Sequence, residues 1–377
     1  MKILLHIRSL NIGGSERQVV SLAKSMANLG AEVHIAVTKS GGQLEHELNG
    51  TKNVFLHTIT TGNNLVEKFK YLTQLRTLIK STEFNAVYGF LPTPNLALLI
   101  ALTIRNRPVI AWGVRSSGLD LTQYGSKVKW TMLLEKLLSR FADKIITNSK
   151  AAFQEYRKAG YPYSKLRHVP NAIDTERFKP HPKARNSIRN QLAISVEAPL
   201  IGLFARIHPM KDHTTFLHAA KLLVDVNPDV RFICAGGVHD EHSNLAIALK
   251  SSANKLGLDS HILWLGARKD PERLMGACDI TTLTSDNGEG FPNAVAESMA
   301  CGVPCVVTDI GDASNIVADF SEVVPPNNPQ ALTTAWKSAL DKSVIERSHK
   351  SIQMRQSIID RFTSSVIAKK NLDILLK

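Results

Sequence analysis

Short runs of apolar residues alternate with longer stretches in which apolar positions recur every three or four residues, and the alternation continues along the whole chain. Runs such as Val33-His34-Ile35-Ala36-Val37 read as buried strands, and stretches such as 212–226 read as amphipathic helices. The pattern predicts strands near 2–7, 32–38, 53–57, 86–90, 108–113 and 143–147, with helices near 15–29, 65–80, 95–104, 126–141 and 150–159. A second series follows, with strands near 199–205, 230–235, 261–265, 279–284, 304–308 and 322–324 and helices near 212–226, 242–256, 271–277, 292–301 and 328–341. Such alternation predicts the α/β class with parallel, doubly wound sheets, because a parallel neighbour needs a crossover and a helix supplies it. The Pro-bounded stretch 169–180 breaks the rhythm. The expected organisation is an N-terminal Rossmann-like domain at 1–170, a linker at 171–186, a C-terminal Rossmann-like domain at 187–354 and a terminal helix at 355–377. Two such domains on a short linker are expected to face each other across a cleft at their strand ends, the favoured ligand position in open α/β sheets.

With 377 residues, 44% hydrophobic and 21% charged, the composition fits a soluble two-domain protein without low-complexity tracts. The longest apolar run, Leu96 to Ile104, is too short to cross a bilayer, and Met1 to Arg8 reads as a first buried strand rather than a leader. A cytoplasmic protein is expected. Cys234, Cys278, Cys301 and Cys305 sit among apolar neighbours without metal-ligand spacing, which points to buried, reduced thiols and to no metal site.

The net charge of +13 is unevenly spread: 27 basic residues face 12 acidic ones through Arg185, against 19 and 21 in the remainder. The first half is therefore expected to meet something anionic, such as an acidic membrane surface or a phosphorylated acceptor. Two of its helices, 65–80 and 126–141, combine lysines and arginines with apolar stripes; each stripe either packs on the sheet or docks on a membrane. No base-reading module is visible, so nucleic acid is not an expected partner.

The richest local chemistry lies in Glu289-Gly290-Phe291-Pro292-Asn293-Ala294-Val295-Ala296-Glu297, which follows the strand near 279–284. Pro292 suits the first helical position, leaving the amides of Phe291, Asn293 and Ala294 to point at an anion. Glu289 then stands before the helix mouth and Glu297 about 8 Å along its axis, so the two carboxylates are expected to grip opposite ends of an elongated phosphate-linked ligand, one a sugar and the other a ribose.

This segment, continued through Ser298-Met299-Ala300-Cys301-Gly302-Val303-Pro304 to Asp309, resembles the family 4 retaining glycosyltransferases of the bacterial cell envelope. The resemblance implies the GT-B fold, in which the last helix returns to the first domain. It also implies a nucleotide diphosphate sugar as donor, with a UDP-sugar expected and guanosine left open. The implied acceptor is a glycan or lipid-linked acceptor of capsular, exopolysaccharide or lipopolysaccharide assembly, with a soluble sugar or sugar phosphate as the alternative. Arg206 and Lys211 resemble the family's Arg-x4-Lys element, whose cations would neutralise the leaving diphosphate while Glu289 holds the sugar. Gly290, Phe291, Pro292, Asn293 and Glu297 would complete the donor contacts, and the nucleobase is expected near Gly266, Arg268 and the Gly236-Gly237 turn.

In the first half, Gly13 and Gly14 resemble the family's Gly-Gly loop, where glycine permits positive φ and close approach to a phosphate; Glu16 and Arg17 follow on the acceptor side. Arg115 and Ser116 stand where many relatives have a histidine. Either they hydrogen-bond sugar or acceptor, or Arg115 is a buried structural arginine. Asn148, Ser149 and Asn171 read as capping and turn residues.

No Asp-x-Asp pair occurs to clamp a divalent ion on a diphosphate, so no metal and no cofactor is expected. A Rossmann oxidoreductase would need Gly-x-Gly-x-x-Gly after a strand, which Gly13-Gly14 does not provide.

Overall fold

A computed structural model of the chain describes residues 1–62, 64–102, 107–115 and 125–376. It forms two compact units, Met1–Ala172 with Phe362–Lys377 and Ile173–Arg361. In unit 1 the order is β1 (Lys2–Ile7), α1 (Gly14–Asn28), β2 (Glu32–Val37), β3 (Val54–Thr58), α2 (Leu65–Thr82), β4 (Ala86–Phe90), α3 (Pro92–Ala101), β5 (Val109–Val114), α4 (Ser126–Leu138), β6 (Lys144–Thr147), α5 (Lys150–Lys158) and β7 (Leu166–His168). Unit 2 continues with α6 (Pro182–Gln191), β8 (Leu200–Phe204), α7 (His213–Val224), β9 (Arg231–Ala235), α8 (Ser243–Lys255), β10 (Ile262–Gly266), α9 (Pro271–Ala277), β11 (Ile280–Leu283), α10 (Asn293–Ala300), β12 (Cys305–Thr308), α11 (Ala313–Val317), β13 (Val323–Val324), α12 (Pro329–Leu340) and α13 (Val344–Phe362). The last helix, α14 (Ser364–Leu376), belongs to unit 1.

Both sheets are parallel among the described residues, with strand orders β3-β2-β1-β4-β5-β6-β7 and β10-β9-β8-β11-β12-β13. The sequence pattern explains them. A strand covered by helices on both faces must be apolar at nearly every position, and β1, β2, β4 and β5 are buried along almost their whole length. In each sheet the chain reverses its direction of growth once, between β1 and β4 and between β8 and β11. Such a switch point leaves a crevice beyond the strands' carboxyl ends, because the two flanking helices depart to opposite faces.

The structure departs from the sequence reading at several places. The terminal helix expected at 355–377 is two helices separated at Thr363. Arg355 holds α13 in unit 2 by donating to the carbonyls of Phe178, Ala300 and Thr175, whereas Ile367, Leu372 and Leu375 of α14 are buried in the core beside α1. The stretch expected as linker, 171–186, runs into α6, which starts at Pro182 and packs on α9. Further along α6, beyond the expected linker, Arg189 is wholly buried; its guanidinium pairs with Asp279 at 2.8 Å and donates to the carbonyls of Ala277 and Ser195. The helix expected from 95 begins at Pro92, since proline is compatible with a first turn; residues 103 and 104 of that expectation lie outside the described residues. Strand β7 has only three residues, too few for a periodicity signal.

Candidate functional site

The carboxyl ends of β8 and β11 flank the switch point of the second sheet, and each is followed by a loop that carries chemistry. After β8 come Arg206 and, in a short turn at Pro209–Lys211, Lys211. After β11 comes the loop 284–292, and the two loops are stitched together. Asp286 N donates to Met210 O at 3.1 Å, and Thr284 Oγ1 donates to Lys211 O at 2.8 Å. Lys211 Nζ is ion-paired with Glu289 Oε1, which also accepts from Ser285 Oγ at 2.6 Å. Glu289 is buried at 6% exposure, so its carboxylate is held rather than free to roam.

A third loop, after β12, closes the floor. Thr308 Oγ1 donates to Ser285 O at 2.7 Å, and Asp312 N donates to Gly290 O at 2.9 Å. Gly311 has φ +62°, and a Cβ there would lie 2.5 Å from Glu289 O and 2.7 Å from Gly290 O, so the close passage of the two backbones requires glycine.

Helix α10 begins at Asn293, with Pro292 as its cap residue at φ −73°. That corrects the expected register by one residue: Pro292 precedes the first helical position instead of occupying it. Proline has no side-chain oxygen with which to cap, so no side chain of the cap residue competes for the first amides. Phe291 is buried and anchors the turn. Glu297 lies on α10 at intermediate exposure, about one turn in.

Arg206 is exposed, and its side chain makes no hydrogen bond or ion pair among the described residues. Arg206 and Lys211 put two cations on this edge; burial first, then the charges of Arg206, His242 and Lys211, holds the His208 imidazole down to about 4 against the opposing Glu241. Such a surface favours anions.

Beside this cluster, the carboxyl ends of β8, β9 and β10 enclose a cavity of ≈ 270 Å³, lined among others by Ala205, Ile207, Gly236, Trp264 and Gly266. Gly266 has φ +63° and ends β10 after a register shift that follows Trp264. Arg268, expected as a donor contact, is held by its neighbour Asp270 in a two-point ion pair of 2.9 and 3.0 Å.

The other expected residues lie in unit 1. Gly13 caps α1 at φ −165° and Gly14 is its first residue, so neither uses the left-handed backbone expected of them; a Cβ at Gly13 would meet only the Glu16 carboxylate, the movable end of a side chain. Burial pushes the Glu16 carboxyl above its ordinary range, and Arg17 reaches Glu47 at 4.0 Å. Arg115, half-buried, donates to Asn171 Oδ1 at 2.7 Å and lies over the Phe90 ring. Ser116 lies outside the described residues. Ser149 caps α5 through Ala152 N, as its type suggests.

The second-unit residues Arg206, Lys211, Glu289, Gly290, Phe291, Pro292, Asn293 and Gly266 thus share one sheet edge. Sequence reasoning missed Ser285, which orients Glu289, and His213, which lines the cavity; neither belongs to a recognisable motif. Among the described residues no group of three or more histidine, cysteine, aspartate or glutamate side chains is arranged to hold a metal ion. The four cysteines are buried and unbridged, and burial pushes each thiol upward.

Residues 12–177 match the family model described as Glycosyltransferase Family 4, and residues 184–357 match the model described as Glycosyl transferases group 1. The UDP-Gal:alpha-D-GlcNAc-diphosphoundecaprenol alpha-1,3-galactosyltransferase of Escherichia coli is 23% identical, over 81% of this chain and 79% of its own length. The N-acetylgalactosamine-N,N'-diacetylbacillosaminyl-diphospho-undecaprenol 4-alpha-N-acetylgalactosaminyltransferase of Campylobacter jejuni is 24% identical over 93% of each chain. Among solved structures, HepE of Anabaena in complex with UDP and glucose superposes with a TM-score of 0.87 at 21% identity, covering 100% of this chain and 99% of that one.

Proposed function

The chain belongs to glycosyltransferase family 4 and has the GT-B fold, and from that premise we propose its donor, the course of its reaction and its acceptor. The donor is a UDP-sugar, and the acceptor is a lipid-linked or growing glycan of the bacterial cell envelope. The anomeric configuration is retained, and no divalent ion takes part.

The observation that carries this reading is the Lys211–Glu289 pair at the switch point of the second sheet, with Arg206 exposed beside it. A diphosphate seated there meets Arg206, Lys211 and the start of α10, whose dipole favours negative charge. Glu289 accepts hydrogen bonds from the sugar hydroxyls, oriented by Ser285. Glu297 takes the ribose, and the base enters the neighbouring cavity between Gly236 and Gly266. As the sugar–phosphate bond breaks, the growing charge on the leaving oxygen is met by Arg206 and Lys211, and that oxygen takes the acceptor's proton on the same face. A double displacement would need two carboxylates flanking one bond about 5–5.5 Å apart; in this reading Glu289 and Glu297 serve different parts of the donor.

The names of the relatives from E. coli and C. jejuni, which act on undecaprenol-linked glycans, support the lipid-linked acceptor. The surface of unit 1 supports a peripheral station at an anionic membrane. Trp130, Leu134 and Leu137 of α4 are 65%, 47% and 54% exposed, with Lys129, Lys136 and Arg140 among them, and Phe69 of α2 is 70% exposed beside Lys68 and Lys70. Large apolar side chains interleaved with cations suit an interfacial helix. No described helix is long and apolar enough to cross a membrane.

The test is a thermal-shift panel of UDP- and GDP-sugars, followed by transfer to an undecaprenyl-diphosphate-linked sugar with and without EDTA, and NMR of the product's anomeric centre. Stabilisation by a UDP-sugar, EDTA-resistant turnover and an α product from an α donor are the expected results. Absence of any shift by either nucleotide series rejects the reading.

A further inference from the structure

The cavity beyond β8, β9 and β10 has in its wall a polar side chain that the protein itself does not use. His213, the first residue of α7, is 3% exposed, and neither Nδ1 nor Nε2 meets a hydrogen-bond partner among the described residues. Its place is fixed from both sides. Asp212 caps α7 by accepting from Thr215 N at 3.0 Å, and Lys211 is tied to Glu289. The imidazole lies close to parallel with the Trp264 indole, at 6.4 Å between centroids and 23° between planes. Burial, reinforced by the Lys211 charge, holds its pKa down to about 4, so at neutral pH the ring offers one donor and one acceptor. A buried donor and acceptor without partners is costly to a fold, and such groups in a cavity wall are matched by whatever binds there.

The surroundings define that ligand's chemistry. Ala205, Ile207 and Ala246 make apolar walls, Trp264 adds a flat aromatic one, and Gly236 passes so close to the Ala205 backbone that a Cβ there would collide with it. The cavity adjoins the diphosphate cations: Ala205 and Ile207 flank Arg206, and His213 follows Lys211 by two residues. A flat heteroaromatic ring with hydrogen-bonding edges, joined to a diphosphate, fits both features. We propose that His213 determines specificity for the donor's nucleobase, hydrogen-bonding the heterocycle in this cavity. The inference rests on the nucleoside diphosphate sugar reading above.

Calorimetric titration of the wild type, His213→Phe and His213→Asn with UDP, GDP and inorganic pyrophosphate tests it. His213→Phe is expected to weaken the preferred nucleoside diphosphate roughly 10- to 100-fold, the range of a lost buried hydrogen bond, and to narrow the gap between UDP and GDP. Pyrophosphate affinity stays unchanged, and His213→Asn recovers part of the loss. In turnover the donor KM rises while kcat holds, because the contact is the same in ground and transition states. A folded His213→Phe variant with wild-type affinity and preference overturns the inference. Should the variants fail to fold, a structure of the wild type with UDP decides: a ring nitrogen within about 3.2 Å of a base heteroatom supports it, and a base seated elsewhere overturns it. A wild type that binds pyrophosphate but neither nucleotide rejects the donor reading itself, which separates the two failures.

Discussion

Lys211 and Glu289 lie 78 positions apart in the chain and form an ion pair, because the strands that precede them, β8 and β11, are neighbours at the point where the sheet reverses its growth. Before a donor arrives, the lysine's charge is balanced by the carboxylate that is proposed to hold the sugar. Glu289→Gln removes that balance without changing size. UDP affinity is expected to stay equal or increase several-fold, while transfer falls by about 100-fold or more, the scale of a lost transition-state contact. Paired calorimetry and radiolabelled transfer measure both quantities, and undiminished transfer would exclude Glu289 from the chemistry.

Arg206 and Lys211 should separate binding from folding. Arg206→Ala is expected to weaken UDP roughly 10- to 100-fold and leave Tm unaltered, since the side chain is exposed and engages no protein partner among the described residues. Lys211→Ala leaves the buried Glu289 carboxylate without its cation and is expected to cost about 3 kcal/mol of stability in addition to affinity. Equal Tm losses for the two variants would contradict this assignment.

Gly311→Ala adds one methyl at φ +62°, against the carbonyls of Glu289 and Gly290. The left-handed backbone alone costs about 1–2 kcal/mol for alanine, and the collision pushes on the residue that carries the carboxylate. Thermal melting is expected to show at least that loss, with transfer reduced more steeply than stability. A variant with normal turnover would mean that the loop after β12 does not position Glu289.

Glu135 makes stability fall with rising pH. Burial outweighs its hydrogen bonds from Asn95 and Tyr161 and raises the carboxyl from 4.5 to about 7. The folded state therefore binds the proton more tightly than the unfolded one; the contribution is complete below 4.5 and lost as pH rises through 7, about 3 kcal/mol in all. His6, His208 and His213, each held down to about 4, act in the opposite sense and destabilise as pH falls below 6.5. Glu135→Gln isolates the first effect: its stability advantage over the wild type should grow between pH 5 and pH 8 in urea melts. Parallel pH profiles would show that Glu135 ionises no differently on folding.

The proposed membrane station rests on α4. Trp130→Glu with Leu134→Glu is expected to abolish co-sedimentation with anionic phosphatidylglycerol vesicles at low salt and to leave UDP binding intact. Wild-type protein that stays in the supernatant at low salt rejects the proposal outright.

Much of this architecture was legible from periodicity, since buried parallel strands and amphipathic crossovers impose different repeats on the sequence. The loop from Glu289 to Glu297 was legible as well, because its glycine, proline and acidic residues sit at fixed offsets. What escaped depends on tertiary neighbours. The start of helix α6 looked like linker because the helix buries only Ala184, Ile188 and Arg189, the last of them satisfied by the Ala277 carbonyl and Asp279. Ser285 and His213 gain their meaning only from Glu289 and the cavity, and no local pattern marks either. Pro292 was misplaced by one residue because cap and first turn are both compatible with proline.

The passage of the chain's final helix back to α1 bears on how the protein is made. Residues 364–376 supply Ile367, Ala368, Leu372 and Leu375 to a core otherwise built from the first 172 residues, so all of unit 2 leaves the ribosome before unit 1 is whole. During translation the earlier-made lobe waits with an uncovered groove along α1, while the later-made lobe is continuous in sequence and free to consolidate on its own.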